Sequence, residues 1–307
     1  RTKRSGLLVR TAFFLAENDH KGQKRATGED YITHPLAVAI MLAERKFDTE
    51  TIVAGILHDV VEDTNTSLDD ITEKFGLSVG MIVDGVTKIS NIKNKNLTLN
   101  FSGDDEFLFE VDNYRKMLLA TAKDIRVVIV KIYDRIHNIQ TLDWIAGQKR
   151  RFYAKESIEI YAQIAERIGL FEAKNKLENL SFKHAYPEEY KRFLMIKKNT
   201  PLLNQKFLDK IIKETKQLLK DNQIDFVDVY GRIKHDYSLY QKLTNEYADN
   251  IDLIFDLYAF RIIVPSISDC YKVLGVIHSY FEPIPGRIYD MIAKPKDNGY
   301  QSIHSIV

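Results

Sequence analysis

Apolar residues recur at helical intervals through most of the first 180 residues. Positions three and four apart share one face of an α-helix, so this recurrence predicts amphipathic helices. We predict helices over 7–20, 36–47, 50–62, 68–75, 77–86, 109–122, 124–142, 149–168 and 170–181. Among these segments, residues 90–104 are rich in Asn and Lys and contain Gly103, which predicts a loop. The pattern indicates an all-α domain over residues 1–183.

The period of the pattern changes in the second half of the chain. Residues 184–222 keep a helical apolar stripe and predict a helical connector. After it, residues 225–230 alternate as in a strand, and 257–264 form a β-rich run. We predict a helix over 268–280 and short strands over 288–293 and 302–307. Residues 223–307 are therefore expected to form an α+β domain.

Composition narrows the class of protein. A chain of 307 residues, 45% of them hydrophobic, is long enough for two domains with sizeable cores. Its formal net charge is only +1, so bulk electrostatics do not indicate a nucleic-acid or membrane binder. The single cysteine, Cys270, excludes an internal disulfide and favours a reducing, cytoplasmic location. No signal-peptide pattern or membrane-spanning run is present, and we expect no membrane partner.

The most informative motif is His58-Asp59, which follows a strongly apolar run. Glu62 lies four residues after His58, and Asp63 lies four after Asp59, so these side chains occupy neighbouring parts of a helix. Ionisable groups at this density are costly in a core unless a cation or a substrate satisfies them. The motif therefore favours a metal site over its alternative, a solvated helix end with a few acids.

Two further residues complete a ligand set. His34 precedes the apolar run over 36–42, and Asp134 ends the apolar run that begins at Val127. With His58 and Asp59 they supply two imidazoles and two carboxylates, a set that suits a divalent cation with open positions for water. Such a cation can lower the pKa of water and orient it towards phosphorus.

These segments resemble a known family. Residues 22–35, HDVVEDT over 58–64 and residues 134–142 look like the hydrolase domain of the Rel/SpoT family, which makes and degrades the alarmone (p)ppGpp. Residues 230–238, 256–261 and 294–304 are similar to its synthetase domain. The likeness implies an HD-type hydrolase domain over 1–183, the connector over 184–222 and a partial, nucleotidyltransferase-like synthetase domain over 223–307.

The resemblance implies hydrolysis of the 3′-diphosphate of (p)ppGpp to GDP or GTP and pyrophosphate, as part of the stringent response. Mn²⁺ would be the metal, held by His34, His58, Asp59 and Asp134. Glu62 and Asp63 would activate water and handle the proton of the leaving group. The guanine nucleotide would contact Lys24, Arg25, Asn138 and Thr141. We expect His137 to face elsewhere, and Tyr133, which replaces a small residue of the family, to fill core.

The synthetase resemblance implies a kinase-type transfer of pyrophosphate from ATP to GDP or GTP, as in bifunctional members. Asp256 would bind Mg²⁺. The implied substrate-binding residues are Arg232, Lys234, Ser238, Lys242, Lys296, Asn298, Tyr300, Gln301 and His304. We expect this half to be inactive here, because the family's second acidic residue would lie after Val307 and Tyr289 stands where bifunctional members carry Lys.

Guanine nucleotides and ATP are the expected partners. Ribosome and tRNA contacts are expected only through a C-terminal region that this chain does not contain. Two alternatives stay open from the sequence. One is an HD phosphohydrolase that acts on another nucleotide, and the other is a non-catalytic, nucleotide-sensing regulatory piece.

Overall fold

The computed structural model describes residues 2–96, 119, 123–200, 204–246, 254, 256–297 and 299–307. The chain forms two compact units, Arg1–Pro187 and Glu188–Val307. A domain boundary at residue 183 and a separate connector over 184–222 stay predictions. No helix in the described part of the chain combines the length and the apolar character that crossing a bilayer requires.

The described residues of the first unit form helices joined by turns, with one isolated β-bridge between Lys24 and Asp30, which confirms the all-α prediction. Its helices are α1 Thr2–Asp19, α2 Thr33–Glu44, α3 Thr49–Leu57, α4 Val60–Asp63, α5 Leu68–Phe75, α6 Leu77–Asn96, α7 Ile125–Gln140, α8 Gly147–Glu156, α9 Ala162–Arg167 and α10 Phe171–Ala185. A 3₁₀ turn, Leu142–Trp144, follows α7, and a π-helical turn, Ser157–Tyr161, joins α8 to α9.

Two details of the predicted helices are wrong. The helix predicted over 50–62 is broken at His58-Asp59, where a turn separates α3 from α4. The loop predicted from residue 90 begins later, because α6 continues to Asn96. Asn and Lys lower helix propensity only slightly, and Gly103, the one strong breaker of this stretch, comes after that point. Residues 97–104, and all of the predicted helix over 109–122 except Leu119, lie outside the described residues.

Helix α7 lies at the centre of the first unit. Its residues from Val127 to Ile136 are all buried. A Cβ atom on Gly85 would lie 2.6 Å from the nearest methyl of Val127, so α6 packs on α7 with almost no gap. Because α7 is enclosed in this way, the charged residues that it carries must find partners inside the protein.

Arg135 is one of these buried charges, and it joins α7 to the π-helical turn. Its Nε donates to Ser157 Oγ at 2.6 Å, and its Nη2 donates to the carbonyl of Tyr153 at 2.8 Å. The guanidinium also pairs with the buried carboxylate of Glu156 and lies 4.7 Å from the ring centre of Tyr161. Arg135 is therefore satisfied entirely by α8 and the turn that follows it.

The second unit confirms the α+β prediction. It contains α11 Pro187–Lys198, α12 Gln205–Asp221, β1 Asp228–Ile233, α13 Asp236–Glu246, β2 Tyr258–Ile263, α14 Ile267–Tyr280, β3 Ile288–Asp290 and β4 Ile303–Ser305. Strands β1 and β2 pair antiparallel, as do β3 and β4 in a separate ribbon. Leu219, Val229 and Val273 form the core between the first ribbon and helices α12 and α14.

Candidate functional site

All four predicted ligands meet in the first unit. His34 lies at the start of α2, His58 and Asp59 form the turn between α3 and α4, and Asp134 lies on α7. The Nε2 atom of His58 is 3.1 Å from Asp59 Oδ2 and 3.8 Å from Asp134 Oδ1. The Nε2 atom of His34 is 3.5 Å and 3.2 Å from the same two oxygens. We call these four residues the HD cluster.

The HD cluster has the properties of a divalent-metal site. His58 is fully buried, yet its Nε2 has no hydrogen-bond partner among the described residues. The ligand-type atoms of His34, His58 and Asp59 lie within 4.8 Å of one another. Burial alone would lower the pKa of His58, but the carboxylates of Asp59 and Asp134 raise it to about 10. The two carboxylates thus favour a positive charge next to Nε2 of His58, and a divalent cation would supply it.

Each imidazole of the HD cluster is oriented by its other ring nitrogen. His58 Nδ1 lies 2.9 Å from the carbonyl oxygen of Gly55 and donates its hydrogen to it, so Nε2 is the nitrogen that a cation would bind in place of a proton. His34 Nδ1 lies 2.7 Å from Nδ1 of His137. Burial, followed by the fields of His34 and Arg25, lowers the pKa of His137 to about 4, so its ring is neutral at pH 7.

The prediction that His137 faces away from the site is therefore wrong. The residue follows Asp134 by three positions on α7, a spacing that puts both on one helix face. This spacing was the signal that the sequence offered. A partner that holds a ligand imidazole in place typically matters almost as much as the ligand.

Asp134 is held from two sides. The ammonium of Lys131 lies 2.8 Å from Oδ2, and the amide of Asn138 donates to Oδ1 at 2.5 Å. Burial alone would raise the pKa of Asp134, but Lys131 and the two imidazoles lower it well below its usual value. The group is therefore a carboxylate. Lys131 was not among the predicted site residues, although a lone charge within an apolar run is an available signal.

The two predicted catalytic acids lie on α4, which begins directly after His58 and Asp59 in the chain. Asp63 Oδ2 accepts a hydrogen bond from the hydroxyl of Tyr31 at 3.0 Å, and burial together with the charge of Asp59 raises its pKa. Glu62 is half-buried on the same short helix. Their assignment as catalytic groups stays a prediction.

Three of the four predicted nucleotide contacts lie together beside the HD cluster. Arg25 Nη2 donates to Asn138 Oδ1 at 2.9 Å and is 3.4 Å from Thr141 Oγ1. Asn138 in turn donates to Asp134. The structure does not bring Lys24 into this group, because its ammonium pairs with Asp30 at 2.6 Å and both side chains are exposed.

Tyr133 fills core, as predicted. The residue is buried, and its ring packs edge-on against Phe47 with centroids 6.0 Å apart.

The second unit contains two smaller polar groups. The ammonium groups of Lys234 and Lys242 each lie 2.8 Å from one carboxylate oxygen of Asp256. Tyr300 and His304 are joined by a 3.0 Å hydrogen bond, and Lys296 lies 5.8 Å from the ring centre of Tyr300. Since lysines take both oxygens of Asp256, this arrangement does not fit the implied Mg²⁺ site.

The remaining predicted synthetase residues lie on or beside the strands and helices of the second unit. Arg232 is exposed on β1, Ser238 lies on α13, and Gln301 is exposed before β4. Asn298 lies outside the described residues.

Known proteins resemble both units. The family model described as "HD domain" matches residues 12–171, and "Region found in RelA / SpoT proteins" matches residues 231–307. The chain is 43% identical over 291 residues to the guanosine-3′,5′-bis(diphosphate) 3′-pyrophosphohydrolase of Haemophilus influenzae. It is 41% identical over 297 residues to the bifunctional (p)ppGpp synthase/hydrolase SpoT of Escherichia coli. It is also 42% identical over 300 residues to a 3′-pyrophosphohydrolase of Aquifex aeolicus.

These alignments cover 95% to 97% of this chain and 41% of each relative, so the chain spans about two fifths of the length of the curated relatives it matches. The HD-domain match extends over more than half of the chain and encloses the HD cluster. With that match, the RelA/SpoT region after it, and this identity along almost its whole length, the chain belongs to the Rel/SpoT family.

Proposed function

We propose that the first unit is a metal-dependent hydrolase that removes the 3′-diphosphate of (p)ppGpp, giving GDP or GTP and pyrophosphate. The observation that carries this proposal is the HD cluster, in which a buried, unpartnered imidazole nitrogen faces two carboxylates. The names of the relatives, a 3′-pyrophosphohydrolase and a (p)ppGpp synthase/hydrolase, support the choice of substrate. The reaction would belong to the stringent response.

The HD cluster would hold the metal, and we propose Mn²⁺. A set of two carboxylates and two imidazoles favours a harder cation than a site that contains only imidazoles or only thiolates. When bound, the cation supplies Lewis-acid polarisation of a phosphoryl oxygen and activation of water. Lys131 keeps Asp134 ionised and turned towards His34, and His137 keeps the ring of His34 in place.

The acids of α4 would carry the protons. Glu62 and Asp63 follow the turn that contains His58 and Asp59, so their carboxylates are tied to the HD cluster by a rigid stretch of backbone. One would take the proton of the attacking water, and the other would give a proton to the ribose 3′-oxygen of GDP or GTP as its bond to phosphorus breaks. Neither needs to bind the metal, because four ligand-type side chains already surround the site.

Arg25, Asn138 and Thr141 would bind the guanine nucleotide. The planar guanidinium of Arg25 can stack on a base or donate two parallel bonds to a phosphate. Its present bonds to Asn138 and Thr141 place it beside Asp134. On substrate binding, Arg25 would exchange these bonds for bonds to the nucleotide.

We expect Arg25→Ala to raise KM for ppGpp by about tenfold or more and to lower kcat much less. A hydrogen bond to a charged group contributes roughly 1.5–3 kcal/mol, and a contact made equally in ground and transition states acts mainly on KM. Steady-state kinetics measures both constants. Lys21→Ala, which removes an exposed charge four residues earlier, is the matched control. An unchanged KM would place Arg25 outside the binding site.

The proposed function is tested with the purified chain, stripped of metal by a chelator. Added ppGpp should be stable, and Mn²⁺ should restore its conversion to GDP and pyrophosphate in equal amounts, measured by anion-exchange chromatography. Turnover of other nucleotides in preference to ppGpp would favour a different HD phosphohydrolase. Tight binding of ppGpp without turnover at saturating Mn²⁺ would favour the regulatory alternative.

For the second unit we propose binding of ATP and guanine nucleotides. Lys234 and Lys242 present two ammonium groups side by side, and Tyr300 offers an exposed ring on which a base can stack. We expect no pyrophosphate transfer to GDP or GTP by this chain, because lysines take both oxygens of Asp256, where Mg²⁺ would bind. Contacts with ribosome or tRNA and a cytoplasmic location belong to the same proposal. Isothermal titration of Lys242→Ala with GDP and with ATP would test the lysine pair.

A further inference from the structure

We propose that Tyr31 is a positioning residue of the hydrolase site, whose hydroxyl fixes Asp59 and Asp63 relative to each other. The inference rests on the proposed hydrolysis and adds to it a residue that couples the metal ligands to the proton-transfer machinery. Tyr31 was not among the predicted site residues, although it lies three positions before His34.

The Tyr31 hydroxyl touches both carboxylates. It lies 2.8 Å from Asp59 Oδ2 and 3.0 Å from Asp63 Oδ2. The same oxygen of Asp59 faces His58 Nε2 at 3.1 Å, so it is also the atom that would contact a cation. The hydroxyl carries one hydrogen, which the two carboxylate oxygens share, so a rotation of either carboxylate removes its contact with the hydroxyl. Tyr31 therefore restrains the orientation of a metal ligand and of a proposed acid with one atom.

The hydroxyl can act in this way because the ring that carries it is itself held. The ring of Tyr31 stacks on His20, with centroids 4.6 Å apart. His20 is buried, and its Nδ1 lies 2.8 Å from Gln23 Oε1. Gln23 Nε2 then donates to the carbonyl of Asp63 at 3.0 Å. These contacts connect Tyr31 through His20 and Gln23 to Asp63. The same residues therefore hold the Tyr31 hydroxyl and the Asp63 carboxylate in position.

This geometry separates two roles that a half-buried tyrosine can have. If Tyr31 only fills space, phenylalanine keeps the stacking on His20 and nothing in the reaction changes. If the hydroxyl positions the carboxylates, phenylalanine leaves two neighbouring acids without the group that links them. Removing a residue that orients a metal ligand typically lowers metal affinity or activity by about 10–100-fold.

The test is Tyr31→Phe in the whole chain, with kcat and KM for ppGpp and Mn²⁺ affinity by isothermal titration. We expect kcat to fall by about 10–100-fold. Mn²⁺ affinity should also fall, and KM should change little because Arg25, Asn138 and Thr141 are untouched. The matched control is Tyr186→Phe, which removes a hydroxyl that donates to Glu159 at 2.9 Å elsewhere in the same unit.

The outcomes distinguish this inference from the proposed function. Wild-type kcat and Mn²⁺ affinity in Tyr31→Phe would overturn the positioning role, while active wild-type enzyme would leave the function intact. If the wild type binds Mn²⁺ but does not hydrolyse ppGpp, the function fails, and the Mn²⁺ affinity of the variant still decides the role of Tyr31. Thermal unfolding shows whether the variant is folded. If it is not, Gln23→Leu, which frees Asp63 but keeps the hydroxyl, should lower kcat without raising KM, and an unchanged kcat would overturn the proposal.

Discussion

Replacing His58 with alanine is expected to abolish both the binding of a divalent cation by the first unit and the hydrolysis of ppGpp. The variant removes the fully buried nitrogen that faces Asp59 at 3.1 Å and Asp134 at 3.8 Å. Three ligand-type side chains remain, on the turn, α2 and α7, and the fourth ligand of the metal is then missing. Isothermal titration should detect no Mn²⁺ binding, and the ppGpp assay should detect no hydrolysis.

A loss of this size must be separated from damage to the core. His184→Ala provides the matched control, because His184 is also largely buried and its Nε2 also lacks a hydrogen-bond partner among the described residues. It lies on α10, outside the HD cluster. Both variants should lose stability, but only His58→Ala should lose metal binding. Hydrolysis at the wild-type rate by His58→Ala after exhaustive chelation would overturn the metal site altogether.

The second large effect concerns the acids of α4. Glu62→Gln and Asp63→Asn should each slow ppGpp turnover by about 10²-fold or more, because a positioned acid or base contributes about that much to a rate. Both amides match the shape of the acids they replace but cannot transfer a proton. Mn²⁺ affinity should remain within a few-fold of the wild type. The combination of slow turnover with retained metal is what distinguishes proton transfer from coordination.

Controls for these variants come from the next helix. Glu73→Gln and Asp69→Asn make the same chemical change on α5 and should leave kcat unchanged. If Glu62→Gln or Asp63→Asn instead loses Mn²⁺, that residue is a metal ligand and the set of four is incomplete. If neither variant slows turnover, the protons are carried by other groups.

Much of the candidate site could be predicted from the sequence because its residues stand out from their immediate neighbours in the chain. His58 and Asp59 are adjacent in the chain, and their polarity stands out at the end of an apolar run. His34 and Asp134 were found by the same contrast and by the family motif. Arg25, Asn138 and Thr141 were proposed from the family motif, and the structure brings them within hydrogen-bonding distance of one another. Their role as nucleotide contacts stays a prediction.

The site residues that the sequence did not predict act through contacts that form only in the folded protein. Lys131, His137 and Tyr31 matter through contacts with side chains on other elements or on a neighbouring turn, and sequence periodicity does not show which of these contacts form. The break between α3 and α4 was missed for a related reason. Apolar periodicity continues through residues 50–62, whereas the backbone turns at His58 so that consecutive side chains can both face the site.

The contact between Arg135 and the π-helical turn has a consequence for how this stretch can vary in length. A π-helical turn contains one residue more than α-helical spacing allows, so deleting one residue from Ser157–Tyr161 would restore an ordinary helix. The deletion would leave α8 and α9 nearly in their present register, because the turn absorbs the extra residue, but it would bring Ser157 and Tyr161 one position closer together. Arg135 could not then keep both Ser157 and Tyr161 as partners. Since Asp134 is the preceding residue, a single-residue deletion more than 20 positions away is expected to harm the HD cluster without altering any of its ligands.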